Sequence, residues 1–193
     1  MPDPDASVPK PGGDAPDWNV IVTLPENTYR EARSLLAKWG KVRRTGYFNV
    51  LAVKVPDPSK FLDEFVEAVR EMPGIGNIVS HVMPAQAVFD FRTAAEFEEL
   101  ARQVVLGWIG RLANKRFHVR LHRRGFKGAL STPLEERFLD EALLVSLEGA
   151  GAPGRIEFDD PDAMIQIETI DGRAGLSLWT RDDLQRCPFL GWR

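Results

Sequence analysis

The chain has 193 residues, 44% of them hydrophobic and 27% charged, with a formal net charge of −3. That length can bury a substantial core as one large or two small domains, and no apolar run approaches the roughly 20 residues that span a bilayer. A lone cysteine, Cys187, excludes an intrachain disulfide and any multi-cysteine metal site, and the acidic, proline-rich start is not a signal peptide, so a cytoplasmic protein is expected.

Residues 1–17 hold five prolines, two glycines and almost nothing apolar. Such a segment cannot bury enough surface to offset its ordering entropy and reads as a disordered tail. Residues 18–24 read as the first strand. A helix follows, opened by the capping box Thr28-x-x-Glu31, with Tyr29, Ala32, Leu35, Leu36 and Trp39 on one face. Residues 41–45 and 48–55 read as strands turning at Gly46. The second helix starts with Asp57 as cap and Pro58 at its first position, buries Phe61, Leu62, Phe65, Val66 and Val69, and stops at Pro73-Gly74. Residues 78–83 read as the fourth strand. The order βαββαβ is the ferredoxin-like pattern, two helices on one face of an antiparallel sheet.

Residues 84–91 form an apolar connector, expected to pack between the halves. Thr93-x-x-Glu96 opens a third helix, whose apolar stripe includes Phe97, Leu100, Ala101, Val104, Val105, Trp108 and Leu112. A basic strand comes next. Thr132-Pro133-Leu134-Glu135 combines a capping box with proline at the first helical position. Residues 155–158, 164–170 and 174–180 then read as strands, with Asp159-Asp160-Pro161-Asp162 and Asp171-Gly172 as turns. The segment 184–192 is apolar enough to pack back. The fold class expected is α+β.

The basic strand carries the most information. Read with period two, Phe117, Val119 and Leu121 fall on one face and Arg116, His118, Arg120 and His122 on the other, ahead of the turn Arg123-Arg124-Gly125 and Lys127. Such a face suits phosphates, and equally a merely solvated surface. Charge is segregated along the chain: net −3 over residues 1–17, +1 over 18–91, +6 over 92–128 and −7 over 129–193. Local charge decides whether a polyanion is attracted across a Debye length of about 8–10 Å, and the +6 block is where it would dock. Arg43 and Arg44, near the Gly46 turn, are a secondary candidate, with a merely solvated surface the favoured reading.

Motifs of catalysis are missing. Gly74-Ile75-Gly76 lacks the third glycine of a dinucleotide fingerprint, and no Walker loop or nucleophile elbow occurs. His118 and His122 stand roughly 13 Å apart on a strand, too far to share a metal. His81 reads as a core or interface histidine, and the Asp159–Asp162 group as a turn rather than a metal site.

The second half, in the order Phe117-His-Val-Arg-Leu-His-Arg-Arg-Gly125, Thr132-Pro-Leu-Glu-Glu136, Ile156-Glu-Phe-Asp-Asp-Pro-Asp162 and Met164-Ile-Gln-Ile-Glu168, resembles the THUMP domain. THUMP domains are commonly preceded by a ferredoxin-like domain, which residues 18–83 look like. The domains expected are therefore 1–17 tail, 18–91 ferredoxin-like unit with connector, and 92–193 THUMP. The resemblance implies binding of tRNA near its acceptor stem and 3′ end. The chain looks most like stand-alone members that act as adaptors for tRNA cytidine acetylation. What this implies is a non-catalytic protein with no cofactor, no metal and no DNA or membrane partner, working beside a separate tRNA-modifying enzyme. The contact residues so implied are Lys115, Arg116, His118, Arg120, His122, Arg123, Arg124, Gly125, Lys127 and Thr132. Arginine suits them, because it bonds phosphates with two donors and stacks on exposed bases. The competing reading is a protein-interaction module whose basic strand binds an acidic protein partner.

Overall fold

Apolar alternation and helix caps build the first layer. In the computed structural model, which describes residues 17–191, β1 (Val20–Thr23), α1 (Tyr29–Leu36), β2 (Lys41–Arg44), β3 (Val50–Lys54), α2 (Pro58–Glu71) and β4 (His81–Pro84) follow in the expected order. The strands pair antiparallel as β2-β3-β1-β4. One face of this sheet, carrying Val20, Val22, Leu51, Val53 and Val82, packs on Ala32, Leu35 and Leu36 of α1 and Phe61, Leu62 and Phe65 of α2. Asp57 caps α2 by accepting from the Ser59 and Lys60 amides at 2.8 and 3.1 Å. The Thr28 capping box does not form. Its hydroxyl donates instead to the carbonyls of Pro25 and Ile78, tying the helix entry to a loop fifty residues away.

Period two places Ile21, Ala52 and Met83 on the opposite face, and they too are buried, against Trp18, Ala85 and Ile170. Residues of both halves, Trp18 from the first and Ile170 from the second, supply this cover. Residues 84–91, expected as a connector, contain a strand, β5 (Ala87–Asp90), that pairs with β9 at the edge of the second sheet. The remaining elements are α3 (Ala94–Leu106), α4 (Ile109–Leu112), β6 (Arg116–His122), α5 (Thr132–Gly149), β7 (Arg155–Ile156), β8 (Ala163–Ile170), β9 (Arg173–Thr180) and α6 (Arg181–Arg186). The sheet order is β5-β9-β8-β6-β7, with β6 parallel to β7 and β8 and the other pairs antiparallel. Its inner face meets α3 and α5 through Phe97, Ala101, Val105, Phe117, Val119, Leu121, Leu139 and Leu143. The fold is α+β.

The two halves are joined by more than apolar contact. The Gln166 amide donates to His81 Nε2 at 2.7 Å and its carbonyl accepts from Trp179 Nε1 at 3.0 Å, a buried polar bridge between β4, β8 and β9. Helix α6, which no apolar periodicity signals, is opened by a reciprocal Thr180–Asp183 capping box. After it, Cys187 and Leu190 enter the first core, as the apolar segment 184–192 implies; Trp192 lies outside the described residues. So do residues 1–16 of the expected tail. Asp17 is described, and it pairs with Lys54 at 2.9 Å and Arg173 at 3.1 Å. Among the described residues no helix is long and apolar enough to cross a membrane.

Candidate nucleic-acid interface

Strand β6 runs inside its sheet, and that changes the meaning of its alternation. Phe117, Val119 and Leu121 face the helices as expected. The opposite face is not an open row of cations. His118 is 4% exposed; its Nδ1–H donates to the Glu157 carbonyl at 2.8 Å and its ring lies 5.3 Å from that of Phe158. Burial lowers its pKa, and burial holds His122, half-buried beside Arg124, down to about 4. Both are neutral at pH 7 and carry no charge to a phosphate.

Arg116 is committed to the acidic turn. Its Nε and Nη2 donate to both oxygens of Asp162 at 3.1 and 2.7 Å, and Nη1 donates to Asp160 at 3.0 Å. The guanidinium holds the Asp162 carboxyl well below the usual range. Arg181 joins the same pair of carboxylates. Arg124 is committed inward as well, to the fully buried Glu168, whose carboxyl burial pushes up and Arg124 pulls back down. A carboxylate without water needs a cation beside it, so the sheet interior claims this arginine. Four residues of the expected contact set, Arg116, His118, His122 and Arg124, have partners within the fold.

The cations that remain are divided by the strand. Lys115, half-buried, borders a recess of about 410 Å³ with Asn114, Gly154 and Arg155 at the start of β6. Arg120 and Lys127 are exposed at the other end, with Arg123 half-buried between them and donating to the Gly125 carbonyl. The chain there takes a left-handed path, with φ of 90° at Gly125, 51° at Phe126 and 86° at Gly128. Gly125 is required: a Cβ would stand 2.8 Å from Asp171 Cα. The loop ends on α5, whose first residue is Thr132 rather than the cap; Ser131 takes that place without a side-chain bond, and the expected capping box is absent. An 18-residue helix begins here, and the positive end of its dipole lies at the loop, although Pro133 has no amide and those of Leu134 and Glu135 bond the Ser131 carbonyl. Loop, helix N-terminus and three cations form a surface suited to anions.

Two features escaped the sequence reading. Past Phe117 no strand among the described residues covers the outer edge of β6, and α5 satisfies two of its amides instead: Asp140 accepts from the Val119 amide at 3.0 Å and Glu136 from the Leu121 amide at 2.7 Å. Burial pushes the Asp140 carboxyl up to about 7. The four-residue spacing of the two acids on the inner side of α5 was the available signal. The second is the β2–β3 hairpin. The Tyr47 hydroxyl donates to Asp171 Oδ1 at 2.6 Å, and the Asp171 amide donates to the Arg124 carbonyl at 2.9 Å. This lock sets Arg43, Arg44 and the hairpin tip next to the basic loop. Among the described residues no group of His, Cys, Asp and Glu could hold a metal ion.

No family model matches the sequence, and no curated protein matches it. Solved structures do share the fold. PH1313 from Pyrococcus horikoshii, a THUMP-domain protein, superposes with a TM-score of 0.56 at 15% identity over 83% of this chain. TrmN from Thermus thermophilus gives 0.53 at 15% identity over 82%, and a 4-thiouridine synthetase solved with RNA and ATP gives 0.52 at 12% over 83%. The chain spans 53%, 44% and 41% of those three chains, about half their length. At these identities the likeness is one of fold alone. It overturns one expectation. The resemblance to stand-alone members implied a protein that is not an enzyme, yet this fold recurs within a 4-thiouridine synthetase, a predicted N6-adenine-specific DNA methylase and a possible methylase.

Proposed function

We propose that this chain binds tRNA and holds it for a tRNA-modifying activity, the arrangement the THUMP resemblance implies. The observation that carries the reading is that Arg120, Arg123 and Lys127 stay accessible along the end of β6 and the left-handed loop leading into α5. Phosphates would meet cations there at the positive end of the α5 dipole, whereas Arg116 and Arg124 are committed to carboxylates within the fold. The fold it shares with an RNA-bound 4-thiouridine synthetase supports the same reading. A-form RNA is recognised mainly by shape, phosphates and 2′-hydroxyls, so base specificity at this surface is expected to be low. The finer role proposed is that of an adaptor, delivering tRNA to an active site such as that of a cytidine acetyltransferase.

The test is tRNA affinity as a function of salt. Each phosphate neutralised contributes roughly 0.7–0.9 to the slope of log affinity against log salt. Changing Arg120, Arg123 and Lys127 together to Ala should weaken binding and lower that slope by about two to three. The matched control is Lys60, Arg70 and Arg102 to Ala, three exposed cations on α2 and α3. Equal losses in both variants would mean diffuse attraction and no site at the loop. If neither variant binds less tRNA than the parent, an acidic protein partner takes the place of RNA.

A further inference from the structure

Two phenylalanines are more than half exposed among the described residues, Phe48 at 80% and Phe158 at 61%. Phe158 has a partner in the His118 ring and precedes Asp159 and Asp160, an acidic setting that repels a phosphate chain. Phe48 is different. It sits at the tip of the β2–β3 hairpin, where turns ordinarily take small polar residues, and folding gains nothing from leaving it in water.

The tip is built rather than loose. Thr45 Oγ1 donates to the Val50 carbonyl at 2.8 Å and accepts from the Tyr47 amide at 3.2 Å. Asn49 takes the left-handed conformation at φ 55°, and its carbonyl accepts from the Leu24 amide at 2.9 Å. Beside Phe48 lies a recess of about 150 Å³ lined by Tyr29, Arg44, Thr45, Tyr47 and Asn49. The Arg44 guanidinium lies over the Tyr29 ring, 4.8 Å from its centroid. Aromatic faces, a guanidinium plane and a few polar groups around a small recess are what holds an unstacked nucleobase. Tyr47, one wall of this recess, is bonded to Asp171, against which Gly125 of the basic loop packs.

We propose that Phe48 is a stacking platform for an unpaired RNA base, with Arg44 and Tyr29 closing the recess around it. The platform rests on the tRNA-binding reading and adds to it a preference for RNA in which a single strand continues from a duplex. The duplex backbone meets Arg120, Arg123 and Lys127, and the unpaired nucleotide crosses to the hairpin.

Two labelled RNA hairpins separate the cases, one with an unpaired tail and one trimmed blunt, titrated against the parent, F48A and F48W. The parent should bind the tailed RNA more tightly. F48A should lose roughly 5- to 150-fold on the tailed RNA, the range of one base–aromatic stack, and nothing on the blunt one. F48W should keep the preference, and its emission relative to the parent should be quenched by the tailed RNA alone. Because Phe48 is exposed, the melting temperature of F48A should match the parent. If the parent binds both RNAs and F48A binds each equally well, the platform is overturned while the RNA-binding reading stands. If F48A weakens both equally, Phe48 contacts the duplex and not an unpaired base. If the parent binds neither RNA, the RNA-binding reading falls and takes the platform with it.

Discussion

Arg120 and Arg124 stand four positions apart in one basic run, and their surroundings make them different residues. Arg120 is exposed, whereas Arg124 meets the buried Glu168 with most of its side chain covered. Arg124→Ala would strand a carboxylate without water or partner and should cost about 3–5 kcal/mol in urea or thermal unfolding. Arg120→Ala should stay within about 0.5 kcal/mol of the parent. A binding loss in the first variant would therefore report unfolding as much as contact. Asp140 offers a sharper residue-scale test. Its folded pKa of about 7 exceeds its ordinary 3.8, so the folded state holds a proton that the unfolded state releases in between. The stability this group contributes is present below about pH 4 and is lost as pH rises through about 7. Asp140→Asn keeps an acceptor for the Val119 amide, so its stability relative to the parent should grow from pH 4 to pH 7 and then level off. Asp140→Ala leaves that amide without its acceptor and should cost about 1–3 kcal/mol throughout.

Among the elements, the segment between β6 and α5 is the one whose backbone cannot be ordinary. Gly125 and Gly128 both have positive φ, but their neighbourhoods differ. A Cβ on Gly125 would strike the Asp171 backbone, while Gly128 faces open space. Gly128→Ala should cost about 1 kcal/mol of conformational strain alone. Gly125→Ala adds a backbone clash and should cost about 2 kcal/mol or more. It should also loosen the Tyr47–Asp171 lock, so hydrogen exchange in the β2–β3 hairpin should quicken in Gly125→Ala and not in Gly128→Ala. Equal exchange in the two would show that hairpin and loop are independent. The outer edge of β6 follows a related logic. Two carboxylates of α5 accept there from the two amides that a further strand would otherwise pair.

At the scale of the molecule, the two halves share their cores. Met164, Trp179, Cys187 and Leu190 of the second half lie in the first core, and Trp18 of the first half packs over Gly175 of the second. Leu190 is fully buried against residues more than a hundred positions earlier, so Leu190→Ala should cost about 2–5 kcal/mol although it stands close to the chain end. Far-ultraviolet circular dichroism and tryptophan fluorescence should report one coincident unfolding transition. Two separated transitions would mean that each half folds alone and that the shared core contributes little.

The sequence by itself determined what depends on neighbours along the chain. Alternation marked β6 and its buried face, spacing marked α1, α2 and α3, Asp57 and Thr93 marked caps that do form, and the resemblance to the THUMP domain led to the fold. Local chemistry suffices there, because strand and helix periods are set by the backbone. The tertiary structure decided which charges are free. Arg116 finds Asp162 46 positions away and Arg124 finds Glu168 44 away, pairings that no spacing rule announces. It also turned a connector into β5, gave Thr28 another task and Thr132 a place inside the helix, and bonded Tyr47, beside Phe48, to Asp171 more than a hundred residues downstream. Whether a cation is available to RNA depends on its counter-charge and on its water, and both are set by elements that meet only once the chain has folded.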